Sequence, residues 1–199
     1  IKKINYEQLR LNCFSVMNQE QKFPSVSVVE YINLSNNTEY STREIIDRLI
    51  MKDMYNIAMD IHEVLEKETQ NINMLSGGEK QKIQFARVVV QLCASCEKER
   101  YLFLDEPTLN LDIFYQFKIL DLAKELQKDL NIGVCAILHD INQAYLYSDE
   151  VVMMKDGQIK YFGATKDILN YKNIFDIFEV KSEFVYSKNL QKDILITTS

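Results

Sequence analysis

Short, wholly apolar runs alternate along this chain with stretches of helical period. Residues 13–17 read as a short buried strand. A loop marked by Pro24 follows, and residues 26–34 are apolar and mixed. Ser41 and Glu44 have capping-box spacing and open a helix to about Met51, on which Ile45, Ile46, Leu49 and Ile50 recur at helical spacing. A second helix is predicted over about 53–67, with Met54, Ile57, Ile61 and Leu65 on one face. Residues 101–105 and 133–138 are continuous apolar runs, the pattern of central parallel strands buried on both faces. Helices are predicted over about 113–129 and 141–147. Residues 151–155 and 158–162, joined by Asp156 and Gly157, form a predicted hairpin. A helix near 165–178 and a second hairpin from 184–187 and 194–197 complete the pattern.

Strands alternating with helices argue for an α/β layer fold on a parallel sheet. The pattern divides into 1–34, the end of a core strand and its following loop; 35–74, an all-helical block that reads as an inserted subdomain; and 75–199, the remaining strands and helices. Neither repeats nor heptads interrupt it.

Composition narrows the classes. The chain has 199 residues, 47% hydrophobic and 26% charged, an ordinary folded composition. Its net charge of -6 and the lack of a clustered basic stretch argue against nucleic-acid binding. No apolar run approaches the roughly 20 residues that span a bilayer, and the first residues carry no signal-peptide core. A cytoplasmic protein is expected, one that reaches a membrane only by docking on another protein. Cys93 and Cys96 form a lone CxxC, with no second pair and with His62 and His139 distant in sequence. Two buried thiols on one helix face are the plain reading, redox or metal chemistry the other. Cys13 and Cys135 lie in apolar stretches and are expected in the core. The chain begins at Ile1, close to a strand pattern, as a fragment lacking its front end would.

Three segments carry candidate chemistry. In Leu75-Ser76-Gly77-Gly78-Glu79, Ser76 and Glu79 again have capping-box spacing, so Ser76 is the expected N-cap of a helix. Gly77 and Gly78 leave the first-turn amides uncovered, which makes an anion site of the helix start. In Tyr101-Leu102-Phe103-Leu104-Asp105-Glu106-Pro107, an apolar strand aims two adjacent carboxylates. Asp105 is placed to hold magnesium through water, and Glu106 to orient or deprotonate an attacking water. His139 ends the next strand, and ligands of α/β sheets gather at the carboxyl ends of strands.

Together these segments resemble the ATP-binding cassette (ABC) ATPase family. LSGGEKQK resembles its signature motif, YLFLDEPT its Walker B strand, LNLD at 109–112 its D-loop, LHD at 138–140 its H-loop, and Gln19 its Q-loop glutamine. The interval from Gln19 to Ser76 suits the family's helical subdomain. The resemblance implies a P-loop NTPase-type core and a mechanism. Two such domains pair head to tail around two ATP molecules. Ser76, Gly77, Gly78 and Glu79 then face the ATP held by the partner. Asp105 and Gln19 serve magnesium, Glu106 the water, His139 the γ-phosphate and Asp112 the dimer contact. Gln19 also senses nucleotide and passes movement to a transmembrane permease, which works indirectly with a periplasmic or surface binding protein. The implied location is the inner face of the cell membrane. The stretches ARVVVQL, CASCEKER and LHDINQAYLYSDEVVMMKDGQI resemble importers of iron chelates, hemin and cobalamin, most of all the hemin importers.

The sequence departs from the family at one motif. It contains no GxxxxGK[ST] phosphate loop. That loop is expected upstream, within a stretch on the order of 50 residues, and the chain as given is expected to be inactive alone. Two other readings stand beside transport: a non-transport ABC ATPase acting in DNA repair or on ribosomes, and a non-catalytic remnant that binds a partner.

Overall fold

The computed structural model describes residues 14–17, 24–33, 44, 66–94, 100–109, 111–189 and 191–198. Gln19, Cys13, Cys96, the Ser41 cap and almost all of the two helices predicted between 41 and 67 lie outside the described residues. The chain forms two compact units, Ile1–Ile137 and Leu138–Ser199.

In the first unit, strand β1 (Phe14–Met17) is followed by helix α1 (Val28–Asn33), a 3-10 turn (Ile72–Met74) and helix α2 (Gly77–Ala94). Strand β2 (Tyr101–Asp105), helix α3 (Ile113–Leu130) and strand β3 (Gly133–Ile137) complete it. The described strands pair in the order β1-β2-β3, all parallel. Phe14 lies opposite Tyr101 and Met17 opposite Leu104, while Tyr101 lies opposite Gly133 and Asp105 opposite Ile137. Parallel pairing requires a crossover between neighbours, and α3 supplies it between β2 and β3.

The core lies on one face of this sheet. Leu102 and Leu104 point into it, packed in one cluster with Ile83 and Val89 of α2 and Leu122 and Leu126 of α3. Successive strand residues alternate sides, so Tyr101, Phe103 and Cys135 point the other way. Tyr101, Cys135 and Ile137 are exposed. This corrects two expectations from the sequence. The strands are not buried on both faces, and Cys135 is not a core thiol. Its register with Phe103, rather than with Leu102 or Leu104, sets it on the side away from the helices. Cys93 is half-buried and packs against the cluster.

Polar side chains secure the ends of these elements. The Arg100 guanidinium donates to the Leu92 carbonyl at 3.0 Å and the Leu130 carbonyl at 2.9 Å, tying together the last turns of α2 and α3. These are carbonyls that a helix cannot satisfy itself. Gly133 permits a close approach: a Cβ there would lie 2.5 Å from Cδ1 of Tyr101 on the neighbouring strand. Helix α1 lies within the stretch read only as apolar and mixed. Its start carries a capping box, in which the Glu30 carboxylate accepts from both the Ser27 amide and hydroxyl at 2.8 Å.

The second unit contains helix α4 (Ile141–Tyr147), strands β4 (Glu150–Lys155) and β5 (Gln158–Ala164), helices α5 (Thr165–Ile168) and α6 (Tyr171–Phe178), and strands β6 (Lys181–Ser187) and β7 (Lys192–Thr198). β4 and β5 form an antiparallel hairpin, as do β6 and β7. Asp156 and Gly157, at φ 53° and 72°, supply the left-handed pair that a tight hairpin turn needs. One helix was expected near 165–178; two are found. The Asn170 side chain accepts from the amides of Lys172 and Asn173 and so starts α6 afresh. Val151, Met153, Leu169, Ile174, Ile177 and Leu195 form this unit's core. Asn142 joins α4 to β7 by donating to the Leu195 carbonyl at 2.9 Å and accepting from its amide at 2.8 Å.

A one-faced sheet core has a measurable consequence. Leu126→Ala, at a fully buried position, is expected to lower unfolding stability in urea by about 2–5 kcal/mol. Ile137→Ala, on the open face, is expected to change it by less than about 0.5 kcal/mol. Comparable losses from both would contradict a core on one face.

Candidate functional site

The Ser-Gly-Gly turn is built by local hydrogen bonding. Asn71 caps the 3-10 turn by accepting from the Asn73 amide at 3.0 Å, and Leu75 is buried beneath it. Ser76 then starts α2. Its amide and hydroxyl donate to Oε2 of Glu79 at 2.9 and 2.7 Å, and the Glu79 amide donates back to the Ser76 hydroxyl at 3.3 Å. The Lys67 ammonium donates to the other carboxylate oxygen of Glu79. That bond first, and then the two from Ser76, lower the Glu79 pKa from 4.5 to about 2. Above this box the turn is open. A Cβ at Gly77 would meet nothing within 4 Å, and one at Gly78 would meet only Leu111 Cδ2, at 3.8 Å. The amides of Gly77 and Gly78 have no partner within their own helix, and neither glycine sets a side chain over them.

The acidic pair ends β2. Asp105 and Glu106 are half-buried and Pro107 is buried. Glu106 has φ 49°, a left-handed backbone that residues with a Cβ seldom adopt. The turn closes by donation from the Leu109 amide to the Glu106 carbonyl at 3.2 Å. Beyond it, Asp112 caps α3 by accepting from the Tyr115 amide at 3.1 Å, and Gln116 donates to the Leu111 carbonyl at 3.0 Å.

Helix α2 ties these pieces into one assembly. Gln81 donates to the Pro107 carbonyl at 2.9 Å. The Lys82 ammonium bonds the Tyr115 hydroxyl and lies 3.7 Å from its ring centroid. Ser76, Gly77, Gly78, Glu79, Asp105, Glu106 and Asp112 therefore belong to one unit, joined through the first two turns of α2. His139 belongs to the second unit. It is exposed, between the end of β3 and Asp140, whose carboxylate caps α4 by accepting from Asn142 and Gln143. Gln19 lies outside the described residues. Gln81 and Lys82 fall within the LSGGEKQK motif, but their contacts, like those of Lys67 and Tyr115, are not announced by the sequence, because the partners are distant in the chain.

A parallel sheet with the Glu106 turn at its carboxyl edge and a capped glycine turn at the start of α2 make an α/β cassette with the P-loop NTPase fold. Residues 1–109 match the family described as ABC transporter, and the chain belongs to that family. Among its relatives, the hemin import ATP-binding protein HmuV of Shewanella denitrificans is 36% identical over 122 residues, 61% of this chain and 48% of that protein. The protein of the same name from Burkholderia thailandensis is 44% identical over 105 residues, 51% of this chain and 39% of its own. That from Pseudoalteromonas translucida is 32% identical over 174 residues, 84% and 64%. The chain thus spans less than two thirds of the length of these relatives. Among solved structures, an inward-facing transporter of the metal-chelate ABC type shares the fold with a TM-score of 0.69 at 19% identity, over 94% of this chain and 73% of that one. A dimeric bacterial ABC transporter cassette matches with a TM-score of 0.61 at 20% identity, over 81% and 68%. No helix among the described residues is long and apolar enough to cross a membrane.

The Glu79 box has a pH signature. A carboxyl whose pKa is lowered on folding contributes its stability fully above the unfolded value of 4.5. That contribution fades as pH falls towards about 2. In a carboxyl-detected NMR titration Glu79 is expected to hold its charge well below pH 4.5, and Lys67→Met to move its midpoint upward. A Glu79 midpoint already near 4.5, or one indifferent to Lys67→Met, would remove the ion pair from the box.

Proposed function

We propose that the chain is part of an ATP-hydrolysing subunit that energises a membrane importer, with hemin or another iron chelate as cargo. The observation that carries this reading is the packing of three family motifs onto the start of one helix. The open Ser76-Gly77-Gly78 turn, the Glu106 turn and the Leu111-Asp112 segment are joined by Gly78–Leu111 proximity and the Gln81–Pro107 bond. The cargo assignment rests on the names of the relatives.

The residues suit a nucleoside triphosphate. The Gly77 and Gly78 amides, with the helix dipole behind them, match an anionic phosphate. In this role Ser76, Gly77 and Gly78 meet the γ-phosphate of an ATP held by a second, head-to-tail copy, and Asp112 contacts that copy. Glu79 engages the Ser76 hydroxyl proton, so phosphate binding draws on the amides directly, or on the hydroxyl once it turns away from Glu79. Among the described residues no group of three or more His, Cys, Asp or Glu side chains is disposed to hold a metal ion. Asp105 alone still suits magnesium, which keeps several waters and takes one or two carboxylates together with substrate phosphates; Gln19 is assigned beside it. When bound, magnesium neutralises charge on the phosphates.

Glu106 orients the attacking water and takes its proton at a carboxylate oxygen as the water oxygen bonds to the γ-phosphorus and the bond from that phosphorus to the β-phosphate oxygen breaks, releasing ADP and phosphate. His139 donates to a γ-phosphate oxygen. Gln19 reports nucleotide state to a transmembrane permease, and the subunit works at the inner face of the membrane. Closure on ATP and opening after hydrolysis transmit the work. The 199 residues hold no GxxxxGK[ST] segment, so hydrolysis needs that element supplied.

Two proteins test this. The 199-residue chain alone is expected to show no magnesium-dependent ATP hydrolysis. A fusion that places a GxxxxGK[ST] phosphate-loop segment of the ABC family ahead of Ile1 is expected to hydrolyse ATP, and Glu106→Gln in that fusion to lower kcat by about 100-fold or more. Equal rates with and without the Glu106 carboxylate would refute the assignment. Cells deleted for their own hemin-import ATPase are expected to regain hemin uptake with the fusion; recovery of another chelate alone would reassign the cargo.

A further inference from the structure

Glu106 keeps its left-handed φ of 49° although it is not a glycine, and such a conformation persists only where the surroundings over-determine it. The turn's own closure, from the Leu109 amide to the Glu106 carbonyl, is long at 3.2 Å. A shorter bond reaches the turn from outside. Gln81 is 8% exposed, on a stretch of α2 that also buries Ile83, Phe85 and Ala86. A buried amide is unfavourable there unless bonded. Its Nε2 donates to the Pro107 carbonyl at 2.9 Å, a buried bond across 26 positions of sequence. That carbonyl belongs to the residue next to Glu106, in a loop past the end of the strand ladder. The other end of the loop is held in the same way, by Gln116 on the Leu111 carbonyl.

We propose that Gln81 is a positioning residue for Glu106: by fixing the Pro107 carbonyl it holds the strained turn and aims the Glu106 carboxylate. The functional half of this inference rests on the role assigned to Glu106 above; the conformational half does not. A glutamine that merely satisfied itself in the core would have no effect on Glu106 when replaced by an apolar residue of similar shape. A positioning residue would lower turnover while leaving ATP affinity in place, because the carboxylate acts on water in the transition state and does not bind the nucleotide.

Gln81→Met removes the donor at nearly constant volume, and Gln81→Asn keeps the amide but shortens its reach. In the 199-residue chain, both are expected to move the backbone 13Cα and amide signals of Glu106 away from their left-handed values. In the fusion with a phosphate loop, both are expected to lower kcat about 10-fold or more with KM for ATP within about 2-fold. Glu106 signals that stay in place in either variant overturn the proposal, as does unchanged kcat or a loss carried by KM. A parent fusion that hydrolyses no ATP would defeat the functional reading instead, and the Glu106 signals would then decide the role of Gln81 in the turn.

Discussion

Parallel pairing of β2 between β1 and β3 is the constraint on which the remaining features of the first unit depend. Because the strands run the same way and in register, Met17, Asp105 and Ile137 all fall at one edge of the sheet. The chain leaves β2 there and turns at Glu106. Past the last ladder bond, backbone groups need other partners. Side-chain amides supply them for Pro107 and Leu111. A sheet edge of this kind is where α/β folds gather ligands, since it offers polar groups on a rigid base.

The core that holds this edge is one-sided. Helices α2 and α3 bring their apolar stripes to Leu102 and Leu104, and Arg100 pins their far ends. The same α2 presents the Ser76 box at its start, so the glycine turn and the acidic turn are set by one rigid element. Rigidity is what a site built from main-chain amides requires, because such donors gain by needing no reorganisation when charge arrives.

Much of this was legible in the sequence where a local rule decides the outcome. β2 and α4 fall where their apolar runs and period indicate, Asp156 and Gly157 announce the β4–β5 turn, and Ser76 with Glu79 announces the start of α2. α1 could have been found by the same rule, since Ser27 and Glu30 repeat the spacing, but its short apolar stretch hid the period. Burial of Cys135 was misjudged because an apolar run does not say how many faces of a strand are covered; Tyr101, Phe103 and Ile137 make the open face as apolar as the packed one. Asn170 divides 165–178 because its side chain offers amides a cap that competes with helix continuation. Lys67 and Gln81 were beyond reach. Their partners are Glu79 and Pro107, 12 and 26 positions away, and only the folded packing of α2 brings them close.

The reading offered for the site requires two copies to close on a shared triphosphate. Sedimentation equilibrium of the phosphate-loop fusion carrying Glu106→Gln, with and without ATP and magnesium, tests that requirement most directly. A dimer that forms only with ATP, and that disappears when Gly78→Asp sets a carboxylate on the open turn, is the expected result. A fusion that binds ATP yet stays monomeric, or a dimer indifferent to Gly78→Asp, would contradict it.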